Sequence, residues 1–333
     1  MVWALYVIIH LFLVNLCFGL FPSIVEAKSF SLAPKDCRPD LIKMPKKTGM
    51  LVVGELSGFD PCHSSVSIKI PDGSEKSPIF ISIHGGGGKK DAVAITEEFY
   101  RMNFATLEFD AFKMNGFERN PVIGNASRQK MLFKIASQAH EWVVKQPQFD
   151  SDSVFIYGIS NGASVALNLA SSIDATGVVA EAPTPIGIGY PNTISVPTLI
   201  IFGKMDDFAA PLGKKRWQIS GPCRFNLFLS EAPEGTAKLC NYKLPDAKMA
   251  TTLEWIEGAE LKEGGVINVE YIEGIAHAAF YGPLTIQTRA DFYRARNIPV
   301  KPFMEKQGWS TGGQPEGRAK LLQEISDFVK RVD

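Results

Sequence analysis

Charge of one sign is not in excess in this 333-residue sequence: 35 Lys and Arg balance 35 Asp and Glu, for a formal net charge of +0. A chain with no electrostatic surplus has nothing to draw it along a phosphate backbone, and no block of like charges marks a solvated interaction tail. Nucleic-acid binding is set aside on that ground. No segment repeats at a fixed period, which excludes solenoids and propellers. No glycine tract leads into Gly-Lys-Ser or Gly-Lys-Thr, which excludes a phosphate-binding P-loop. The five cysteines form no C-x-x-C and the five histidines no H-x-x-x-H, so Cys62-His63 stands without the further ligands that zinc needs. No low-complexity linker or shift of composition divides the chain, and with 45% hydrophobic residues it reads as one large globular domain rather than two.

What is there begins with an apolar stretch from Trp3 to Leu20, with no Lys or Arg before Lys28. Val25-Glu26-Ala27 places compact residues where a signal peptidase reads them, so residues 1–27 are expected to be a leader cleaved before Lys28. An uncleaved N-terminal anchor competes with that reading, because the stretch is just long enough to span a bilayer. Both readings export the rest of the chain, to a secreted or periplasmic location.

Cys17 falls in the leader. Cys37, Cys62, Cys223 and Cys240 remain, an even number in a chain bound for an oxidising compartment. Pairing Cys37 with Cys62 and Cys223 with Cys240 closes two local loops, and those pairs are expected. Asn125-Ala126-Ser127 is a glycosylation sequon, expected on a surface loop.

Short apolar runs alternate with longer segments of helical period, the pattern of a mostly parallel sheet with crossover helices. Leu51–Leu56 and Val66–Ile70 are expected to pair antiparallel across a turn. Ile79–His84, Phe104–Phe109, Val154–Tyr157, Gly177–Ala180, Pro197–Phe202 and Val266–Ile272 read as buried strands, short and rich in β-branched residues. Helices are expected over Asp91–Met102, Ser127–Lys145, Asn161–Ser171 and Gly317–Val332. In the last, Leu321, Leu322, Ile325, Phe328 and Val329 make one apolar face.

Open α/β sheets gather their ligands at the carboxyl ends of the strands, and the chemistry of this chain collects there. After Val154–Tyr157 comes Gly158-Ile159-Ser160-Asn161-Gly162, a G-x-S-x-G between a strand and a helix. A serine on so sharp a turn needs flanking glycines, since Cβ atoms there would collide with neighbouring backbone. After Ile79–Ile83 comes His84-Gly85-Gly86-Gly87-Gly88. Bare backbone at that place lets amide N–H groups approach a developing oxyanion, so Gly85 and Gly86 are candidates for an oxyanion hole together with the amide of Asn161.

A serine hydroxyl needs a base, and the base an orienting acid. Pro197–Phe202 is followed by Gly203-Lys204-Met205-Asp206-Asp207, and Val266–Ile272 by Glu273-Gly274-Ile275-Ala276-His277. Of the other histidines, His10 lies in the leader and His63 beside a cysteine. His84 is expected to bond within its own loop and His140 to pack in mid-helix. His277 is therefore the candidate base. Asp206 is favoured as the acid by its spacing from Gly203, and Asp207 stands as its alternative, otherwise a surface or helix-capping carboxylate.

His84-Gly-Gly-Gly-Gly, Gly158-Ile-Ser-Asn-Gly, Gly203-Lys-Met-Asp-Asp and Gly274-Ile-Ala-His, in that order, resemble the α/β-hydrolase superfamily, and the layout is similar to its dienelactone-hydrolase-like group. The resemblance runs from Ile79 to His277 and takes in the closing helix. It implies a mostly parallel eight-stranded sheet with helices on both faces, a Ser160-Asp206-His277 triad, and hydrolysis through an acyl-enzyme. Dienelactone hydrolases proper carry a cysteine where this chain has Ser160, and Ala163 replaces the commoner third glycine of the elbow.

The function expected is hydrolysis of carboxylic esters, small or polymer-derived, with no cofactor implied and no stable membrane association once the leader is removed. A peptidase of the prolyl-oligopeptidase type and a catalytically silent ligand-binding homologue are the alternatives. Between acid and base lies an insertion at about 212–262 with Trp217, Phe225, Phe228, Trp255 and the Cys223/Cys240 pair. It is expected either to rim the site or merely to cover apolar surface.

Overall fold

The computed structural model describes residues 32–73, 75–118, 121–184, 187–208 and 252–333. The expected leader, the Cys223–Cys240 pair, Trp217, Phe225 and Phe228 lie outside the described residues.

In chain order the strands are β1 (Lys46–Thr48), β2 (Leu51–Val53), β3 (Ser67–Lys69), β4 (Ser77–Ile83), β5 (Ala105–Glu108), β6 (Phe149–Ile159), β7 (Gly177–Glu181), β8 (Thr193–Ile194), β9 (Pro197–Gly203), β10 (Glu260–Leu261) and β11 (Val266–Ile272). The helices are α1 (Val93–Arg101), α2 (Ala111–Met114), α3 (Asn125–Val143), α4 (Asn161–Leu169), α5 (Thr252–Gly258), α6 (Arg289–Arg294) and α7 (Pro315–Val332).

Seven strands form the main sheet in the order β11-β9-β7-β6-β4-β5-β3. All pair parallel except β3, which runs antiparallel to β5 at the edge. The central strands are buried on both faces, and their residues alternate between two cores as the period of two requires. Ile79, Ile81 and Ile83 of β4, Val154 and Ile156 of β6, and Ile200 and Phe202 of β9 face one core with α3 and α4. Phe80, Phe155, Tyr157, Val179, Leu199 and Ile201 face the other. There they meet Ile95 and Phe99 of α1 and Leu321, Ile325, Phe328 and Val329 of α7. Gly177 admits the Phe328 ring, since a Cβ there would stand 2.9 Å from it. Truncating a ring so enclosed costs about 3–5 kcal/mol.

Two expectations on the sheet are corrected. Among the described residues the main sheet has seven strands, not eight, and β2 does not pair with the 66–70 strand. It folds back on β1 through a two-residue turn at Gly49, whose φ of 57° suits a hairpin of that length. The chain that was to form the other turn is tied to the N-terminal segment instead. Cys37 and Cys62 form the expected disulfide, Asp60 Oδ1 accepts from the amides of Arg38 (2.9 Å) and Cys62 (3.0 Å), and Gly58 donates to the Leu41 carbonyl at 2.8 Å.

The sequon is corrected too. Asn125 is the first residue of α3 and Ser127 is buried, its Oγ accepting from the Val52 amide at 3.1 Å. The described tail of the insertion supplies α5 and β10, which pairs with β8. Trp255 joins the α3/α4 core and donates its indole N–H to the Pro191 carbonyl at 2.5 Å. That residue covers apolar surface and does not rim the site.

Candidate active site

Strand β6 ends at Ile159 and is followed by Ser160, held at φ 56° and ψ −113° immediately before α4. A non-glycine residue in that region costs of order 1–3 kcal/mol and persists only where its surroundings impose it. They do: the Ser160 amide donates to the Glu181 carbonyl at 2.9 Å. A Cβ on Gly158 would lie 2.2 Å from the Gly162 carbonyl oxygen, and one on Gly162 2.2 Å from that of Ile83. Ala163, at the departure from the usual third glycine, is fully buried without difficulty.

Asp206 and His277 are brought together by two loops joined along their backbones. Lys204 donates to the Ile272 carbonyl at 2.9 Å and Met205 to that of Ile275 at 3.0 Å. A Cβ on Gly203 would come within 2.4 Å of the Ile275 carbonyl oxygen, so only glycine allows this approach. The result is a bond of 3.0 Å between His277 Nδ1 and Asp206 Oδ2, both side chains being buried. The other carboxylate oxygen of Asp206 accepts from the Phe208 amide at 2.9 Å. The Phe208 ring stacks on His277, with centroids 4.2 Å apart.

Asp207 is 5% exposed, so it is not the surface carboxylate that was one reading of it. Its Oδ1 accepts from the Ser310 amide at 2.9 Å. It thereby fixes the 308–310 segment, which in turn carries the carbonyl of Ser310 to the His277 amide at 3.3 Å.

The glycine tract is held open from both ends. His84 Nδ1 bonds the Gly85 carbonyl at 2.7 Å while its Nε2 faces the Ala111 amide at 3.0 Å. The Ala111 N–H can only donate, so Nε2 is the acceptor and Nδ1 carries the proton. Burial lowers the His84 pKa, in keeping with this neutral form. Because a trans peptide sets C=O and N–H in opposite directions, pinning the Gly85 carbonyl turns the Gly86 N–H away from His84. The Gly86 and Asn161 amides donate to no group among the described residues. Gly85 provides clearance, since a Cβ there would meet Ser160 Cβ at 3.3 Å and Asp91 Oδ2 at 2.9 Å.

Three further polar residues stand at this place that sequence reasoning missed. Asp91 Oδ2 accepts from the Gly87 amide at 2.6 Å, and burial raises its pKa. Arg128 lies over Gly86, its Nη1 3.0 Å and Asn161 Nδ2 3.2 Å from where a Cβ would be. Arg128 Nη2 donates to the Pro121 carbonyl at 3.0 Å, and its buried Nε has no hydrogen-bond partner. Gln129, fully buried, accepts from the Ile188 amide at 2.7 Å through Oε1 and donates through Nε2 to Asn161 Oδ1 at 3.2 Å. That donation turns the Asn161 Nδ2 toward Gly86. The signal was present as polar Ser127 and Gln129 on the first turns of a helix whose buried face is apolar from Met131 to Ala139.

Of the other described histidines, neither His63 nor His140 bonds a residue of the site. His63 bonds Ser65 Oγ at 2.8 Å. His140 packs against the Asp174 carbonyl at 3.1 Å, with its pKa lowered by burial.

A mostly parallel sheet in this strand order, a strained serine between its central strand and a helix, and then an aspartate and a histidine on later strand ends together define the α/β-hydrolase fold. No family model and no curated protein matches the sequence. Among solved structures the chain is similar to a dienelactone hydrolase from Anabaena variabilis, 16% identical, the match covering 66% of this chain and 83% of that one at a TM-score of 0.40. It is also similar to an alpha/beta hydrolase enzyme from a Medee basin deep-sea metagenome library, 12% identical, with 82% and 95% covered and a TM-score of 0.45. A third is acetyl xylan esterase 1 from a Thermoanaerobacterium species, 14% identical, with 72% and 78% covered and a TM-score of 0.39.

Proposed function

We propose that this chain is an exported serine hydrolase of carboxylic esters. The observation that carries the reading is the buried bond of 3.0 Å between His277 Nδ1 and Asp206 Oδ2, on the loops after β9 and β11, at the same end of the parallel sheet as the strained turn bearing Ser160. Asp206 holds the proton on Nδ1 and leaves Nε2 as the acceptor, which is the tautomer a general base for a hydroxyl requires.

Ser160 Oγ attacks the ester carbonyl as His277 Nε2 takes its proton. The tetrahedral oxyanion is met by the amides of Gly86 and Asn161, and the protonated imidazole returns its proton to the departing alkoxide. Water then repeats the sequence on the acyl-enzyme, and Ser160 is released with the acid. Two preorganised amides of this kind are each worth about 2.7–4 kcal/mol of barrier. The donors of Arg128 and Asn161 beside Gly86 supply positive potential on the same side.

Export is supported by the Cys37–Cys62 disulfide, since such bonds persist in oxidising compartments. The substrate is a small or polymer-derived ester. The test is labelling with a fluorophosphonate and a panel of p-nitrophenyl esters of increasing acyl length. Modification at Ser160 together with turnover supports the reading, and a protein that neither labels nor turns over any ester removes it.

A further inference from the structure

One residue outside the triad touches both halves of it. Glu181 ends β7, between the strands that carry Ser160 and Asp206. Its main-chain carbonyl accepts from the Ser160 amide at 2.9 Å. Its side chain, 1% exposed, sends Oε1 to the Ala279 amide at 2.7 Å, two residues beyond His277, while Oε2 accepts from Tyr157 Oη. No lysine or arginine forms an ion pair with Glu181 among the described residues. A carboxyl group buried in a sheet core without a cation is costly to keep, and burial raises its pKa. Leu or Met would fill the volume more cheaply, so what Glu181 supplies is its pair of acceptor oxygens.

The backbone states what those acceptors hold. Five non-glycine residues have positive φ among the described residues, and two of them are asparagines, which tolerate it. The other three are Ser160 (φ 56°), Ala182 (φ 50°) and Ala278 (φ 58°). Ala182 follows Glu181 in the chain, Ser160 hangs from its carbonyl, and Ala278 lies between His277 and the amide its side chain binds. Strain of this kind is kept only where the surroundings over-determine it, and all three sites are bonded or adjacent to one residue.

We propose that Glu181 is the positioning residue of the site, locking the 277–279 turn through the Ala279 N–H and the serine elbow through its own carbonyl, so that His277 is held in register with Ser160. The proposal rests on the triad reading above. The charged and titratable groups that face this carboxyl are Tyr157 on β6, Asp206 after β9, and His277 itself. With the side chain removed, the elbow keeps its main-chain bond, but the turn carrying the imidazole loses its anchor at Ala279 and keeps only those on the side of Ser310 and Gly312.

The test compares Glu181→Leu, which removes both oxygens, with Glu181→Gln, whose Oε1 can still accept from Ala279. Concentrations are set by fluorophosphonate titration, so that misfolded protein is not counted. The expected result is a kcat per titrated site about 100-fold lower in Glu181→Leu with KM changed less than about threefold, and recovery to within about tenfold of wild type in Glu181→Gln. Hydrogen exchange read by NMR follows the Ala279 amide, expected to be protected in the wild type and in Glu181→Gln and exposed in Glu181→Leu.

Wild-type kcat per site in Glu181→Leu would overturn the proposal, as would Glu181→Gln no better than Glu181→Leu. If Glu181→Leu does not fold, an unprotected Ala279 amide in the wild type overturns it, and protection there with near-wild-type turnover in Glu181→Gln supports it. A wild-type protein that neither labels nor turns over esters removes the hydrolase reading. The Ala279 exchange pattern then decides by itself whether Glu181 anchors the turn.

Discussion

His84 bonds the carbonyl of the residue that follows it, Gly85, at 2.7 Å, and by fixing that one peptide it aims the next N–H, that of Gly86. A side chain thus sets the direction of a main-chain donor without touching anything that reacts. Replacing His84 by Ala should leave Ser160 in place and lower kcat by about 10- to 100-fold, toward the loss of one oxyanion donor. Steady-state kinetics of His84→Ala on a p-nitrophenyl ester checks this, and an unchanged kcat would mean that Gly86 is aimed by other contacts.

The triad members should act as a unit. Ser160→Ala and His277→Ala are each expected to lower kcat by about 10⁴- to 10⁶-fold, and the double variant little further. Additive losses would sink the assignment. Asp206→Asn should cost about 10⁴-fold in kcat because it favours the wrong tautomer. Asp207→Asn, which loosens the bond to Ser310, should act on stability and KM more than on kcat.

Arg128 offers donors beside Gly86 and feels the Asp91 carboxylate without forming a salt bridge to any described residue. Arg128→Met keeps much of the packing and removes the charge. A fall in kcat/KM of about tenfold or more is expected. A variant equal to wild type on every ester tried would make Arg128 a purely structural residue.

The part of the stability that rests on two buried histidines should fall as the pH drops. Burial lowers the pKa of both His84 and His140 in the folded chain. The unfolded chain therefore binds more protons below about pH 6.5, and the stability these residues contribute is present above that pH and lost on acidification through the window beneath it. Urea unfolding of the wild type and of His140→Gln between pH 5 and pH 7.5 checks this, with the variant expected to show the shallower dependence. Identical slopes would mean that His140 titrates alike in both states.

Reducing the Cys37–Cys62 bond frees a loop with a sequence separation of 25, and the chain-entropy account gives a loss of about 3 kcal/mol. The midpoint of unfolding in Cys37→Ser/Cys62→Ser should fall accordingly. A midpoint equal to wild type would show that the Asp60 bonds alone tie the segment.

The parallel strands were legible because burial on both faces demands unbroken apolar runs, and Ile79–Ile83 and Pro197–Phe202 announce themselves that way. The pairing of β2 was not, since Leu51–Val53 is equally apolar whichever neighbour it takes, and the choice is made by Asp60 and the disulfide at a distance. Ser160 and His277 could be read because glycines and strand ends surround them locally. Glu181, Arg128 and Asp91 could not, because their meaning depends on what stands across the sheet or over a glycine. Asp206 and Asp207 illustrate the limit: adjacent carboxylates of identical chemistry, separated in role only by which loop each side chain faces.

Those two neighbours also couple two properties that many enzymes keep apart. The acid that orients the base and the clamp that fixes the 308–310 segment are consecutive residues on one backbone turn, and Trp309 of that segment packs on Phe208, with ring centroids 3.7 Å apart, while Phe208 covers the imidazole. On the proposed triad, a change in the 308–310 segment is therefore felt, through Trp309 and Phe208, at the imidazole of His277. Variants in this segment are expected to disturb turnover as well as local packing.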